Sequence, residues 1–227
     1  MGGKGERLKS ISKDLPKPLV RINNDPFLSI LIKYILNYDF NRIILCAGYG
    51  TEYIEDFIET FECDNISLLV SIEEKPLGTG GAIKNAENLI ISDDFLVING
   101  DTLFKLDYDE FIDFYYVNNA ILTIALLKTF ISKNFGTVHI NKEGKVISYN
   151  EKIPTKNGKR VIVNSGVYLM NKKILNFIPD KSTVSLEYEL FPSLIKELND
   201  HVYGFISESE FVDIGTPNNY NRALKIL

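Results

Sequence analysis

The sequence predicts an α/β fold: a mixed, mainly parallel sheet flanked by helices, with a small β-rich part. Three observations carry this expectation. Runs such as Arg42–Ala47 and Phe95–Ile98 are almost wholly apolar, as expected of strands buried on both faces. Amphipathic stretches alternate with these runs through the first half, the pattern of βα units. After about residue 119 the strand candidates crowd together (Gly136–Ile140, Lys145–Tyr149, Val161–Met170), which reads as a β-rich insertion or edge sheet.

In chain order, the first helix spans Phe27–Tyr38, where Phe27, Ile30, Leu31 and Tyr34 share one face. Strand Arg42–Ala47, helix Thr51–Phe61, strand Ile66–Ile72, helix Gly80–Leu89, strand Phe95–Ile98 and helix Tyr108–Val117 follow. The second half reads as strands Ile121–Leu127, Thr137–Ile140, Val146–Tyr149 and Val161–Met170, helix Tyr188–Leu198, strand Val202–Ile206 and helix Asn218–Leu227.

The composition narrows the function classes. The chain has 227 residues, 45% hydrophobic and 24% charged, with a net charge of -5. That length suits one large domain, or one with a small appendage. The acidic balance argues against a general nucleic-acid binder, so a bound phosphate needs a local basic cluster. No apolar run approaches the ~18 residues of a membrane helix, so no membrane partner is expected. The start MGGKGERLKS has no apolar core for a signal peptide, and Glu6 breaks the myristoylation pattern. Cys46 and Cys63 form no CxxC pair and argue for a reducing cytoplasm, with Cys46 a core residue. His139 and His201 join no His/Cys cluster, which disfavours zinc and leaves oxygen ligands for a hard cation.

Five segments carry candidate chemistry. Gly2-Gly3-Lys4-Gly5-Glu6-Arg7-Leu8 lets backbone N–H groups approach a phosphate, with cations beside them. It is not a Walker loop, because Glu6 follows Gly5, nor a dinucleotide fingerprint, because Leu8 stands where the third glycine belongs. In Pro16-Lys17-Pro18 two prolines stiffen the backbone around one ammonium group. Glu74-Lys75-Pro76-Leu77-Gly78-Thr79-Gly80-Gly81 puts three glycines before a helix, offering backbone groups to a base edge or phosphate. Leu96-Val97-Ile98-Asn99-Gly100-Asp101 ends an apolar strand in a carboxylate, where open α/β sheets bind ligands. Asp213, in Phe211-Val212-Asp213-Ile214-Gly215-Thr216-Pro217, is a second turn carboxylate; either it or Thr216, the better candidate, caps the helix after Pro217.

Together and in this order, GGKGERL, PKPLV, EKPLGTGGAI, VINGD and FVDIGTP resemble the sugar-1-phosphate nucleotidylyltransferases, over essentially the whole chain. EKPLGTGGAI, FGTV and DIGTP look most like the bacterial D-glycero-α-D-manno-heptose 1-phosphate guanylyltransferases. Mannose-1-phosphate guanylyltransferases and muramate-type uridylyltransferases are near relatives. The resemblance implies a Rossmann-like nucleotide-diphospho-sugar transferase fold in one domain. Residues 1–118 would form a nucleotide-binding half and 119–227 a sugar-phosphate-binding half. It also implies a cytoplasmic enzyme that takes a nucleoside triphosphate and a sugar 1-phosphate as partners and releases pyrophosphate. The product is a nucleotide sugar for surface polysaccharide. By similarity, Gly2, Gly3 and Gly5 line the nucleotide, Arg7 grips the pyrophosphate and Lys17 lies near the α-phosphate. Asp101 and Asp213 match the pair that holds Mg²⁺. Leu77, Gly78 and Gly81 would surround the base. Gly136, Glu151, Lys152, Asn164 and Gly166 match the sugar-phosphate pocket. The alternatives are another base or sugar, or a sugar-nucleotide-binding regulatory subunit. Retention of Arg7, Lys17, Asp101 and Asp213 speaks against the latter.

Those relatives carry an apolar strand ahead of the glycine loop, where this sequence has only Met1. The expectation is a central slot flanked by the strands of Ile43–Leu45 and Leu96–Ile98. A chain starting at Met1 is then expected to be poorly soluble and inactive, and an added strand of about six to eight residues to restore it.

Overall fold

A computed structural model describes residues 8–63, 66–130, 135–151 and 160–227. The first half runs α1 (Lys9–Ser12), a 3-10 turn at Lys17–Leu19, β1 (Arg21–Ile22), β2 (Asp25–Pro26), α2 (Phe27–Ile35), β3 (Arg42–Ala47), α3 (Thr51–Thr60), β4 (Ser67–Ile72), α4 (Gly78–Asn85), β5 (Asp94–Ile98), β6 (Thr102–Phe104) and α5 (Tyr108–Val117). The second half runs β7 (Leu122–Thr129), β8 (Thr137–Ile140), β9 (Val146–Asn150), β10 (Val161–Asn171), a π-helical turn at Leu186–Leu190, α6 (Phe191–Glu197), β11 (Val202–Ser207), β12 (Phe211–Asp213) and α7 (Pro217–Ile226).

The largest sheet has the order β11-β7-β10-β8-β9, with β5 also on β10. It is mixed, as expected, but antiparallel ladders predominate among the described strands. Only β3–β4 and β11–β7 are parallel, while β10 runs antiparallel to β5, β7 and β8. The misleading signal has a physical source. Leu122, Ile124 and Leu126 of β7 and Tyr168 and Met170 of β10 pack in one core cluster. Ala125, Val167 and Leu169, which alternate with them, pack in another. A strand covered on both faces loses its polar alternation whichever way its neighbours run.

β10 divides one of its edges. Along one side it pairs β7; on the other Val163 pairs Thr137 of β8, and Val167 to Asn171 pair Ile98 to Asp94 of β5. At the fork the register slips between Asn164 and Tyr168, and Gly166 takes a φ of +80°. The fork brings the end of β5 beside the start of β8, and so sets the candidate site.

Helix α2 stops at Ile35, short of the expected Tyr38. The Asn37 side chain donates to the carbonyls of Tyr34 at 3.0 Å and Lys33 at 3.3 Å, ending the helix in a turn. The π-helical turn likewise replaces the first turn of the helix expected from Tyr188. Short strands β1, β2, β6 and β12 carry too few residues for a periodic signal.

β3 and β5, the strands expected to flank a slot, are joined by no ladder among the described residues. They nevertheless share apolar surroundings on both faces. Ile43 and Ile98 pack on one core cluster, and Ile44, Phe95 and Val97 on another.

Candidate active site

Two carboxylates and one lysine meet at the end of β5. The chain leaves that strand through a tight turn in which Thr102 N–H donates to Asn99 O at 3.1 Å, presenting Asp101. β6 then pairs β12 with Thr102 opposite Asp213, and Ile214 N–H donates to Asp101 O at 3.0 Å. This short ladder joins residues far apart in sequence. A Cβ on Gly215 would stand 2.8 Å from Asp213 Oδ1 and 3.6 Å from Asp101 Oδ2, so both carboxylates border the same backbone. Asp213 Oδ1 accepts the Gly215 N–H, and Oδ2 accepts from Asn219 Nδ2 at 3.2 Å. Thr216, the preferred cap candidate, caps α7 through Asn219 N–H. Asp213 is thus held by its own turn and by the Asn219 side chain of α7, while the backbone cap of that helix comes from Thr216.

Lys17 reaches this corner. Pro18 and Leu19 bury beside it, and Leu19 N–H donates to Pro16 O at 2.9 Å, closing a rigid 3-10 turn. Lys17 Nζ lies 3.4 Å from Asp101 Oδ2, with side chains 19% and 28% exposed.

The residues matched to a sugar-phosphate pocket gather at the fork of β10. Asn164 N–H donates to Gly136 O at 2.8 Å, and Asn164 Oδ1 accepts Gly166 N–H at 2.9 Å. Asn164 Nδ2 donates to Tyr149 Oη at 3.0 Å and Tyr168 Oη at 2.8 Å. Tyr149 in turn donates to Glu151 Oε2 at 3.0 Å. Burial first, then the nearby carboxylates, pushes both phenols up, so they stay neutral donors. Gly136 is glycine for room, since a Cβ there would overlap the Tyr149 hydroxyl. The sequence reading missed Tyr149, Tyr168 and Glu187. Glu187 Oε2 accepts from Thr79 Oγ1 at 2.8 Å, so it ties the pocket network to the start of α4. The tyrosines lie in β9 and β10 and Glu187 in the π-helical turn, so no shared sequence pattern marks them.

Gly166 links the two clusters, because its carbonyl accepts Asn99 N–H at 2.9 Å and a Cβ on it would overlap the Asn99 amide. Gly166→Ala combines a positive φ with that overlap, so we expect about 2–4 kcal/mol of destabilisation. We also expect turnover to fall more than tenfold as the Asp101 turn shifts, about what an ångström of misplacement costs. Denaturant unfolding beside a turnover assay checks both.

The glycines of the α4 loop have a first purpose the sequence did not reveal. Gly80 and Gly81 N–H both donate to Val184 O, at 2.8 and 3.2 Å. A Cβ on Gly81 would overlap Ser182 O, and one on Gly78 would stand 2.6 Å from Val184 O. The Gly80 and Gly81 N–H groups expected to be open to a ligand are therefore committed to the chain crossing above them. Leu77 N–H donates to Glu73 Oε2 at 2.9 Å, and Val184 N–H to Leu77 O at 2.9 Å. Glu73, only 6% exposed, was not singled out. Gly2, Gly3, Gly5, Arg7 and Lys152 lie outside the described residues.

No described helix is long and apolar enough to cross a membrane. The family model described as "Nucleotidyl transferase" matches residues 1–227. The chain is 38% identical to a D-glycero-alpha-D-manno-heptose 1-phosphate guanylyltransferase of Aneurinibacillus thermoaerophilus, over 100% of this chain and 96% of that protein. It is 33% identical to a mannose-1-phosphate guanylyltransferase of Mycobacterium tuberculosis, over 98% of this chain and 61% of that protein. The crystal structure of HddC from Yersinia pseudotuberculosis complexed with GMP-PN is similar at a TM-score of 0.84 and 36% identity, covering 99% of this chain and 96% of that one. A UTP-bound UGPase from Acinetobacter baumannii, at 20% identity and a TM-score of 0.82 over 99% of this chain and 90% of that one, shares the fold. A match along the whole chain, with the expected groups converging at the end of β5 and the fork of β10, makes this protein a member of the nucleotidyl transferase family.

Proposed function

We propose that the protein transfers the guanylyl group of GTP to a heptose 1-phosphate, forming a nucleotide sugar for lipopolysaccharide or capsule in the cytoplasm. The observation that carries this reading is the 38% identity, end to end, with a heptose 1-phosphate guanylyltransferase. A phosphate oxygen of the sugar phosphate forms a bond to the α-phosphorus of GTP. The bond to the β-phosphate breaks, and pyrophosphate leaves with its electron pair. No residue is modified covalently, so the protein's work is positioning and charge neutralisation.

The Lys17 ammonium would offset charge at the α-phosphate. Arg7 would take the departing pyrophosphate, and Gly2, Gly3 and Gly5 the triphosphate. Leu77, Gly78 and Gly81 would pack around the base. Glu151 would accept from sugar hydroxyls, with Lys152 on the acceptor phosphate and Gly136, Asn164 and Gly166 shaping the pocket. Asp101 and Asp213 fit Mg²⁺, because hard carboxylate oxygens from both border Gly215. These two residues would hold the ion together with oxygens of the substrate phosphates. When bound, the ion supplies charge neutralisation for the phosphates.

The 33% identical mannose-1-phosphate guanylyltransferase favours mannose 1-phosphate as the second reading. Pyrophosphate release from a matrix of GTP, ATP, UTP and dTTP against heptose, mannose and glucose 1-phosphates decides. We expect GTP with heptose 1-phosphate to give the highest kcat/KM. Preference for UTP or dTTP overturns the guanylyl reading, and preference for mannose 1-phosphate the heptose one. No turnover with any pair, alongside retained nucleotide-sugar binding, supports the regulatory subunit instead.

A further inference from the structure

We propose that Tyr149 is a positioning residue for the sugar, its hydroxyl pinning the Glu151 carboxylate in the orientation that accepts the sugar hydroxyls. The proposal rests on the reading of Glu151 as the acceptor and adds to it the residue that aims that acceptor.

The directions of the hydrogen bonds around Asn164 follow from one backbone contact. Gly166 N–H donates to Asn164 Oδ1 at 2.9 Å, which settles the orientation of the amide and points Nδ2 the other way. Asn164 is 7% exposed, so its two amide hydrogens need partners inside the protein. They go to the phenol oxygens of Tyr149 at 3.0 Å and Tyr168 at 2.8 Å. Each phenol carries one proton, and neither can return it to Nδ2, which only donates. The proton of Tyr149 is therefore directed at Glu151 Oε2, 3.0 Å away. That of Tyr168 is directed towards Glu187, whose Oε2 is itself held by Thr79 Oγ1 at 2.8 Å and Ser185 Oγ at 3.0 Å. The chain is polarised outwards from Asn164 and ends on a carboxylate at each side.

The donor is fixed before any sugar arrives. Tyr149 is 8% exposed, and its ring packs edge-on against Phe191 with centroids 5.6 Å apart. Burial above all keeps its phenol protonated, so it remains a donor. Packing against Phe191 asks only for a ring. The hydroxyl is explained by its two partners, Asn164 and Glu151. Glu151 follows directly on β9 and is less buried than Tyr149, and its side chain has torsions to lose. A hydrogen bond from a fixed donor removes that freedom in advance, which is what positioning requires. The space beside the pair is reserved for it. A Cβ on Gly136 would overlap the Tyr149 hydroxyl and stand 2.6 Å from Glu151 Oε2, so this glycine makes room for the Tyr149–Glu151 contact as a unit.

The test is a double-variant cycle in steady-state kinetics with GTP and heptose 1-phosphate. Tyr149→Phe keeps the ring and removes the donor. The KM for heptose 1-phosphate should rise about tenfold, the usual worth of one hydrogen bond to a charged group. kcat and the calorimetric Kd for GTP should stay close to the parent values. Glu151→Ala should raise the same KM, and adding Tyr149→Phe to it should cost nothing further, because the hydroxyl then has no carboxylate to hold. Should Tyr149→Phe fail to fold, Glu151→Asp takes its place. It keeps the charge but withdraws it from the phenol by one methylene, and the KM should again rise. A Tyr149→Phe or Glu151→Asp protein with the parent KM, or a double variant in which the two costs add, overturns the proposal while leaving the sugar pocket intact. A Glu151→Ala protein with the parent KM instead fails the reading of Glu151 itself. A parent that turns over mannose 1-phosphate in place of heptose 1-phosphate fails the heptose reading, and the same cycle is then read with mannose 1-phosphate.

Discussion

Asp101→Asn is expected to lower turnover about a thousandfold, the upper range for removing one preorganised electrostatic group, while the protein stays folded. The structural reasons are specific. The main chain of Asp101 holds Ile214, and that bond survives the substitution. Among the described residues the side chain pairs only with Lys17, at 3.4 Å and partly in solvent, a contact that contributes little to stability. The loss should therefore appear in catalysis and in Mg²⁺ binding rather than in the unfolding temperature. Asp213→Asn should lose turnover similarly but disturb its surroundings more. Oδ2 accepts from Asn219 Nδ2, and an amide nitrogen there would set donor against donor unless Asn219 turns. Chelation by EDTA should abolish turnover of the parent, and added Mg²⁺ should restore it. Calorimetric titration with Mg²⁺ in the presence of nucleotide provides a readout independent of turnover. An Asp101→Asn protein that turns over at the parent rate after chelation would remove the metal assignment.

The residues that make this corner were legible for different reasons. Asp101 could be placed because an apolar strand ends on it, a local pattern with a known geometric meaning. Strands β3 and β8 carry the predicted bounds, and α5 begins where Asp107 accepts from Asp109 and Glu110 N–H. The meeting of Asp101 with Asp213 was not legible from spacing. It depends on the three-residue ladder of β6 with β12, too short for periodicity, and only the family resemblance anticipated it. The direction of the strands was hidden by burial on both faces. Glu73 was hidden by its neighbour: in Glu73-Glu74 the sequence does not say which carboxylate turns inward, and only the fold separates a 6% exposed side chain from an exposed one. The α4 glycines show the reverse case. Their number suggested a ligand, yet the backbone of Ser182 to Val184 already accounts for the lack of side chains.

Lys17→Met should lower kcat about a hundredfold to a thousandfold with little change in the KM for the sugar phosphate. A fixed ammonium acts on charge that grows in the transition state rather than on ground-state binding. The 3-10 turn is what makes the effect large. Pro16 and Pro18 flank the lysine, and Leu19 buries, so the ammonium is positioned before substrate arrives. Methionine keeps the aliphatic stem and removes only the charge. The exposed part of the Lys17–Asp101 pair is worth at most about 1 kcal/mol, so stability should hold. Lys17→Arg should recover part of the rate, since the charge returns in a broader, planar head. The pair itself offers an internal check. If Lys17 acts on the phosphate, combining Lys17→Met with Asp101→Asn should cost more than either alone. If Lys17 serves only to hold Asp101, the double variant should be no slower than Asp101→Asn, and the catalytic role of the lysine would have to be given up.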